Sequence, residues 1–354
     1  MMDVLPFLTD LISDSGLSGF ERPVANKIAE TWRPLVDELS FSALGSLHGL
    51  RRSSISEKSP SLMIAAHMDA IGMMVKSVED GLIYITRIGG VDPRVLPGQL
   101  VTVFGKKELQ GIVQMLPDRL LETEARGKAP AFERLFIDTG LSARDLDHCV
   151  RAGDLVAFRQ PPLQFEGRTL AGHSLDNRAS VAAVTVCLDE IRKFNLDWNV
   201  FAVATTGEET TYSGAITSAF SLKPDLAVAV DVTFADGPGS NDYRTFPLGG
   251  GPTIGTGANN HPALTRRLVK LAEEIELPYH LEAMPVSSST DGMPLQISRS
   301  GIPTVVVSVP LRYMHTSVEM VSLNDIERTG RLLARLITNL NSDTLSDWFN
   351  GESQ

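Results

Sequence analysis

Two adjacent glutamates, Glu208 and Glu209, stand in the stretch TTGEETTYSGA, just after the apolar run NVFAVA at 199–204. Neighbouring carboxylates repel, and burying even one is costly unless it is paired or bound to a cation. Three other apolar runs lead to similar residues. SLMIAA (61–66) is followed by His67 and Asp69, LAVAV (226–230) runs into Asp231, and TVVVSV (304–309) leads to His315 in VPLRYMHTSVE. A fifth candidate, Asp176 in GHSLDNRAS, sits just before a helical pattern. Histidine and carboxylate together suit zinc, cobalt or manganese better than calcium or magnesium, which prefer all-oxygen shells. Five ligating residues exceed what one tetrahedral zinc uses, and they fit two metals that share a bridging carboxylate. No basic residue follows Glu208 and Glu209 closely enough to form an evident ion pair. One glutamate is then expected to bind metal. The other takes a proton from water whose pKa a bound divalent ion lowers to about 7.

Each of these residues also has an ordinary explanation. His67 could be a buried imidazole bonded to a local Asp69. Two positions apart on extended chain, they lie on the same side, which equally suits a metal-binding histidine steadied by a carboxylate. Glu208 and Glu209 could be a solvated turn, Asp176 a helix N-cap, Asp231 a strand-end turn and His315 a packing residue. What favours a di-metal site is that all five loops would meet on one rim. His173, His261, Asp236 and Asp291 are expected to be structural or to support the pocket. His48, His148 and His280 read as surface or packing residues, and the glycines at 249–251 lack the lysine of a phosphate loop.

The four apolar runs are near-continuous rather than alternating, which predicts strands of a sheet covered on both faces. In open α/β sheets, ligands bind beyond the carboxyl ends of the strands. Helical patterns cover 180–191, 264–275 and 323–337. Near the start, Leu5, Leu8, Leu11 and Ile12 make one apolar face, and after the turn SGLSG a second helix is signalled by Glu21, Pro23, Val24, Ile28 and Trp32. Between 72 and 164 the texture changes to short β-like pieces (LIYITRI, QLVTVFG, GIVQML, DLVAF) separated by Gly, Pro and Asp turns. The expectation is an α/β fold with a mixed central sheet and helices on both faces, formed by 1–71 and 165–354. A small β-rich barrel, 72–164, is inserted into it.

The chain has 354 residues, 43% hydrophobic and 21% charged, ample for a sizeable core. Its net charge of -11 weighs against nucleic-acid or anionic-membrane partners. No apolar run approaches the ~18 residues of a membrane span, and acids stand where a secretion signal needs positive charge. Cys149 and Cys187 lie in no CxxC or CxxH pattern and read as reduced thiols, so a cytoplasmic protein is expected.

Taken in order, SGFE, HMDAIG, SLDNRAS, GEETTYSGA, DVTFADGP and RYMHTSVE make the chain, over nearly its whole length, similar to metallopeptidase family forty-two. That family contains glutamyl, leucyl and TET aminopeptidases, some under an older endoglucanase label. The resemblance implies a zinc-exopeptidase-like catalytic domain with an inserted β domain that makes dimer contacts. It also implies peptide substrates and two divalent ions, zinc first, with cobalt or manganese as alternatives. Carried over by position, His67 and Asp231 would hold one ion, Glu209 and His315 the other, and Asp176 would bridge. Glu208 would be the general base and later the acid for the leaving amine, with Asp69 orienting His67. A homo-oligomer, dimers assembling to a dodecamer, is implied as well. The chain departs from the family at Gly207, where Gln is more usual, at Thr210 and Thr211, where Val-Gly is, and at 289–292, STDG in place of Gly-Thr-Asp-Ala. These departures bear on substrate preference rather than on chemistry.

Three rivals remain at this point. A deacylase or carboxypeptidase could use the same scaffold. A carboxypeptidase would need a cation for the substrate carboxylate, and the motifs contain only Arg178 and Arg312, both read as structural. A glycoside hydrolase could pair Glu208 with Asp231, but it would have no need of the histidines. A non-catalytic binding protein is disfavoured because every proposed position is filled.

Overall fold

Apolar runs of this kind bury both faces of a strand, and the four runs become the adjacent parallel strands at the centre of the sheet. The computed structural model describes residues 2–120, 128–240 and 242–349. In chain order its strands are β1 (Glu38–Phe41), β2 (Leu47–Arg51), β3 (Ser61–His67), β4 (Gly72–Glu79), β5 (Leu82–Ile88), β6 (Leu100–Phe104), β7 (Glu108–Gln114), β8 (Phe136–Asp138) and β9 (Leu155–Phe158). They continue with β10 (Leu163–Phe165), β11 (Thr169–Gly172), β12 (Asn199–Thr205), β13 (Leu226–Phe234), β14 (Thr253–Gly257), β15 (His280–Met284), β16 (Thr304–Arg312) and β17 (Glu319–Ser322). The α-helices are α1 (Val4–Ile12), α2 (Arg22–Trp32), α3 (Ala143–Cys149), α4 (Leu175–Ile191), α5 (Ser213–Leu222), α6 (Pro262–Glu274), α7 (Gly292–Gln296), α8 (Leu323–Thr338) and α9 (Thr344–Phe349).

The large sheet runs β1-β2-β12-β3-β13-β16-β17-β11-β10, with β14 and β15 branching from β16. Its centre, β12-β3-β13-β16, is parallel, and its flanks are antiparallel, so the sheet is mixed. Alternate residues of the central strands feed two layers. Leu62, Ile64, Val200, Ala202, Val228 and Val230 pack with α1, α2, α4, α6 and α8 on one face. Met63, Ala65, Val203, Ala227 and Ala229 pack with Ala215 and Ala219 of α5 and Leu295 of α7 on the other. The second structure is a closed barrel, β4-β5-β8-β7-β6-β9, with its own core of Met73, Val75, Ile83, Val101, Val113 and Val156 among others.

Several expected elements shift in extent. β13 runs four residues and β16 three residues beyond their apolar runs, so Asp231 lies within a strand rather than at its end. Helix α3, buried through Leu146, lies among the barrel strands, where the sequence suggested β structure alone. Leu5 is only half-buried, and Val4 and Phe7 complete the face of α1 instead. From Val181 to Leu188 helix α4 is almost wholly apolar and buried on every side, covered by α1, α2 and α8. Its approach to α8 depends on Gly330, where a Cβ would come within 2.6 Å of both the Ala183 carbonyl oxygen and the Val186 Cβ.

The closeness of these two helices is testable. Gly330→Val inserts a branched side chain against backbone that has no room to move, a change that typically costs 1–3 kcal/mol. The melting temperature should fall by about 2–10 °C. An unchanged melting temperature would mean that α4 and α8 do not pack this closely.

Candidate metal centre

The parallel order aligns the carboxyl ends of β12, β3, β13 and β16 along one rim. His67 is the last residue of β3 and pairs in register with Thr205, the last residue of β12. Asp231 of β13 is in register with Ser308 of β16. Glu208 and Glu209 follow β12 directly, and His315, with a left-handed backbone at φ 61°, follows β16. Asp176 enters from β11 at the head of α4. Its φ/ψ of -78°/102° is not helical, and the peptide bond joining it to Asn177 is cis. Asp176 therefore does not serve as an N-cap: Ser174 holds that position, in the left-handed region, without a side-chain cap bond.

All seven residues singled out in the sequence meet here. His67, Asp176, Glu208, Glu209, Asp231 and His315 line one cavity of about 460 Å³. The His67 Nε2 lies 3.2 Å from Asp176 Oδ1, 3.7 Å from Asp231 Oδ1 and 3.8 Å from Glu208 Oε2. The His315 Nε2 lies 3.3 Å from Asp176 Oδ2 and 3.5 Å from Glu209 Oε1. The two oxygens of Asp176 thus face two different imidazoles. Asp69 sits behind His67, its Oδ1 3.5 Å and its carbonyl oxygen 3.3 Å from Nδ1. The Asp69 carboxylate also accepts hydrogen bonds from the Glu208 and Glu209 backbone N–H groups, at 3.0 and 3.1 Å.

These acids lack enough positive charge among the protein's own groups. Burial pushes the Glu208 carboxyl up to about 10 and Glu209 to about 8, and Asp231 is raised for the same reason. Burial works against a charged His67, but Glu208, Asp176 and Asp231 together outweigh it and hold the imidazole well above its usual range. His315 is raised to about 9, first by its hydrogen bond to Asp176. Asp176 is itself buried, yet His315 and His67 hold it well below the usual carboxylate range. Two imidazole nitrogens among closely grouped carboxylates, nearly all buried, form a donor set that fits divalent cations. Ligand atoms of His67, Glu208 and Asp231, and of His67, Asp176 and Glu209, lie within 4.8 Å of one another.

Two supporting acids were not singled out in the sequence. Glu319, buried in β17, accepts from the backbone N–H groups of Asp176 (3.0 Å) and His315 (3.1 Å). Glu21 makes no side-chain cap bond to α2, and instead accepts from the backbone of Gly19 (2.8 Å) and Gly207 (3.0 Å). Only the position of Glu319 four residues after His315 hinted at the first. Asp291, set aside as structural or supporting, is buried behind the site, accepts from Thr205 Oγ1 at 2.5 Å and is raised by burial to about 7.

The residues expected to be structural have structural partners. His173 donates to the Ile71 carbonyl and lies edge-on to Phe158. The His261 side chain accepts from Ala263 at the head of α6. Asp236 accepts from Arg312, and His48 bonds Ser218. Arg178 is fully buried and donates to the carbonyls of Leu11, Asp14 and Ser15, closing the C-terminal end of α1. The backbone N–H groups of Gly249 and Gly251 donate to Asp325.

Residues 45–332 match the M42 glutamyl aminopeptidase family. A lysyl aminopeptidase of Pyrococcus furiosus is 30% identical over 336 residues, covering 93% of this chain and 95% of its own. The crystal structure of a TET aminopeptidase from Thaumarchaeota archaeon SCGC AB-539-E09 superimposes with a TM-score of 0.92 at 28% identity, covering 98% of both chains. A TET1 peptidase of Pyrococcus horikoshii, which can assemble into a tetrahedron or a large octahedral shell, gives a TM-score of 0.82 at 26% identity, over 96% of this chain and all of the other. No helix among the described residues is long and apolar enough to cross a membrane. All seven site residues lie inside the matched segment, and the chain, a peptide hydrolase whose family implies divalent metal, belongs to the M42 glutamyl aminopeptidase family.

Proposed function

We propose that the chain is a di-metal aminopeptidase that releases N-terminal residues from peptides. His67 and Asp231 would hold one divalent ion and Glu209 and His315 the other, with Asp176 bridging the two. The observation that carries this reading is the pair of Asp176 contacts, one carboxylate oxygen to each histidine at 3.2 and 3.3 Å. Bound divalent ions polarise a scissile carbonyl and bring the pKa of water down to about 7. Glu208 is the proton acceptor, and later donates that proton to the leaving amine. It lies near His67 and Asp231, while Glu209 is the glutamate beside His315. Burial, with repulsion from Asp231, Asp291 and Glu209, raises the Glu208 carboxyl to about 10, and added positive charge lowers it toward the neutral range that general-base work requires. Asp69 steadies His67 from behind and, through two backbone hydrogen bonds, the turn that presents both glutamates.

We further propose that 1–71 and 165–354 form the catalytic domain and 72–164 an inserted domain that makes dimer contacts. β10 straddles that junction and pairs with the large sheet. Assembly to a dodecamer is supported by a similar structure, PhTET1-12s, that is a dodecamer, and by the shell-forming Pyrococcus horikoshii relative. Zinc is the first choice of ion, with cobalt or manganese admitted by the same ligands, and the cytoplasm is the expected location. No lysine or arginine lines the cavity, which weighs against a carboxypeptidase.

Metal-stripped protein should not cleave a panel of aminoacyl-p-nitroanilides, and zinc, cobalt or manganese should restore cleavage of unblocked substrates. Cleavage of N-acylated substrates alone would favour a deacylase instead. Glu208→Gln should keep its metal, measured by mass spectrometry of the bound ions, while turnover falls about 100- to 10,000-fold. A near-normal rate would remove Glu208 from the proton-transfer role. His315→Ala and Glu209→Ala should each carry fewer ions per chain, and two ions in either variant would refute the ligand set.

A further inference from the structure

The family is described by glutamyl activity and the Pyrococcus furiosus relative as lysyl, so membership does not fix which N-terminal side chain this chain prefers. The cavity wall beyond the proposed ligands carries that information. Asp231 and Thr233 are two residues apart on β13, so both face the cavity, and the strand advances about 7 Å between them. At Thr233 the wall meets Glu282 of β15. The Glu282 Oε1 accepts from Thr233 Oγ1 at 2.7 Å and Oε2 from Thr253 Oγ1 at 2.6 Å. Two hydroxyl donors on separate strands fix this carboxylate in place, and it lines the same cavity as His67 and Glu208.

Burial disfavours the charge on Glu282, and Asp231 adds to the effect. Among the described residues, the ion pairs found include none to Glu282. Each of its oxygens accepts one hydroxyl and retains a further lone pair. A carboxylate so placed is completed by an incoming cation. The surrounding wall suits the stem of such a group: Met284, two residues along β15, together with Phe234 and Met314, offers apolar surface on which methylenes can lie. An acidic side chain entering here would meet Glu282 and Asp231 with no lysine or arginine in the lining to receive it.

We propose that Glu282 is a specificity-determining residue that selects peptides beginning with lysine or arginine, pairing with the cationic end of the first side chain. This rests on the aminopeptidase reading, and it runs against the glutamyl preference in the family's description. It also differs from a role for Glu282 in holding the substrate's free α-amine. That group is common to all substrates, so the two roles are separable by experiment.

The test has two arms. In the first, the metal-restored enzyme is assayed on Lys-, Arg-, Leu-, Ala- and Glu-p-nitroanilide. The expected order of kcat/KM places Lys and Arg at least tenfold above Leu, with Glu slowest. Glu282→Gln should lower the Lys-to-Leu ratio at least tenfold, mainly through KM. A wild-type preference for Leu or Glu, or an equal fall on every substrate in Glu282→Gln, would overturn the proposal. In the second arm, calorimetry measures binding of L-lysinamide and L-norleucinamide to the Glu208→Gln variant, with and without Glu282→Gln. Tighter binding of lysinamide, lost with Glu282, supports the pocket even if every p-nitroanilide is refused, an outcome that would count against the hydrolytic reading alone. Equal binding of the two amides would refute the pocket.

Discussion

Mutual repulsion among buried carboxylates is the constraint on which this molecule's central region depends. Asp69, Asp176, Glu208, Asp231, Asp291 and Glu319 are all buried, and Glu209 is half-buried among them. Two imidazoles are too little positive charge for such a group, and burial accordingly drives several of the acids toward their neutral forms. The chain tolerates the cluster because backbone N–H groups compensate part of it. Asp69 takes two from the Glu208–Glu209 turn, Glu319 takes one each from Asp176 and His315, and Asp231 takes one from Val232. Hydrogen bonding to the charged form favours it, so these donors keep part of the cluster ionised. Divalent cations would supply the remainder.

The same hydrogen bonds tie the loops together. The loop after β3 holds the loop after β12 through Asp69. β17 holds both the head of α4 and the loop after β16 through Glu319. Glu21, from the turn before α2, holds Gly207 just ahead of the glutamate pair. Each segment bearing a proposed ligand other than Asp231 is thus fixed by, or itself contains, a carboxylate that reaches another segment. Asp231 needs no such brace, because it lies inside a strand and pairs in register with Ser308 of β16. Position on a rigid strand and position on a braced loop are two solutions to the same problem of holding a donor within a few tenths of an ångström.

This division explains how much of the site could be read from the sequence. His67, Asp231 and His315 were legible because each closely follows or terminates a near-continuous apolar run, and strand-end placement on one rim is a general consequence of parallel order. The glutamate pair was legible because two adjacent acids after a strand need either water or positive charge. The branching of β14 and β15, the full lengths of β13 and β16, and α3 among the barrel strands were not, since tertiary packing sets those limits rather than local pattern. Glu319 and Glu21 escaped for a related reason. A carboxylate that accepts backbone N–H groups more than a hundred residues away has no local signature, and Glu21 reads as an ordinary helix start. The same holds for Glu282, whose meaning depends on Thr233 and Thr253 arriving from two other strands.

Strand β13 also separates chemistry from selection. Asp231, a proposed ligand, and Thr233, which orients Glu282, project from the same face one repeat apart. Glu282 itself comes from β15, which among the described residues pairs only with β14, at the margin of the sheet, and whose neighbouring segment, 285–289, is largely exposed. A change at 282 or in the segment after it alters the far wall of the cavity without moving β3, β12, β13 or β16, because the core beneath those four strands is packed from both faces by other residues. Of the departures from the family's usual residues at 289–292, Ser289 lines that outer wall and Gly292 opens α7. With the proposed ligands gathered at the carboxyl rim of the sheet and the proposed selectivity on a marginal strand, one catalytic arrangement would serve different N-terminal residues, with the sheet centre left as it is.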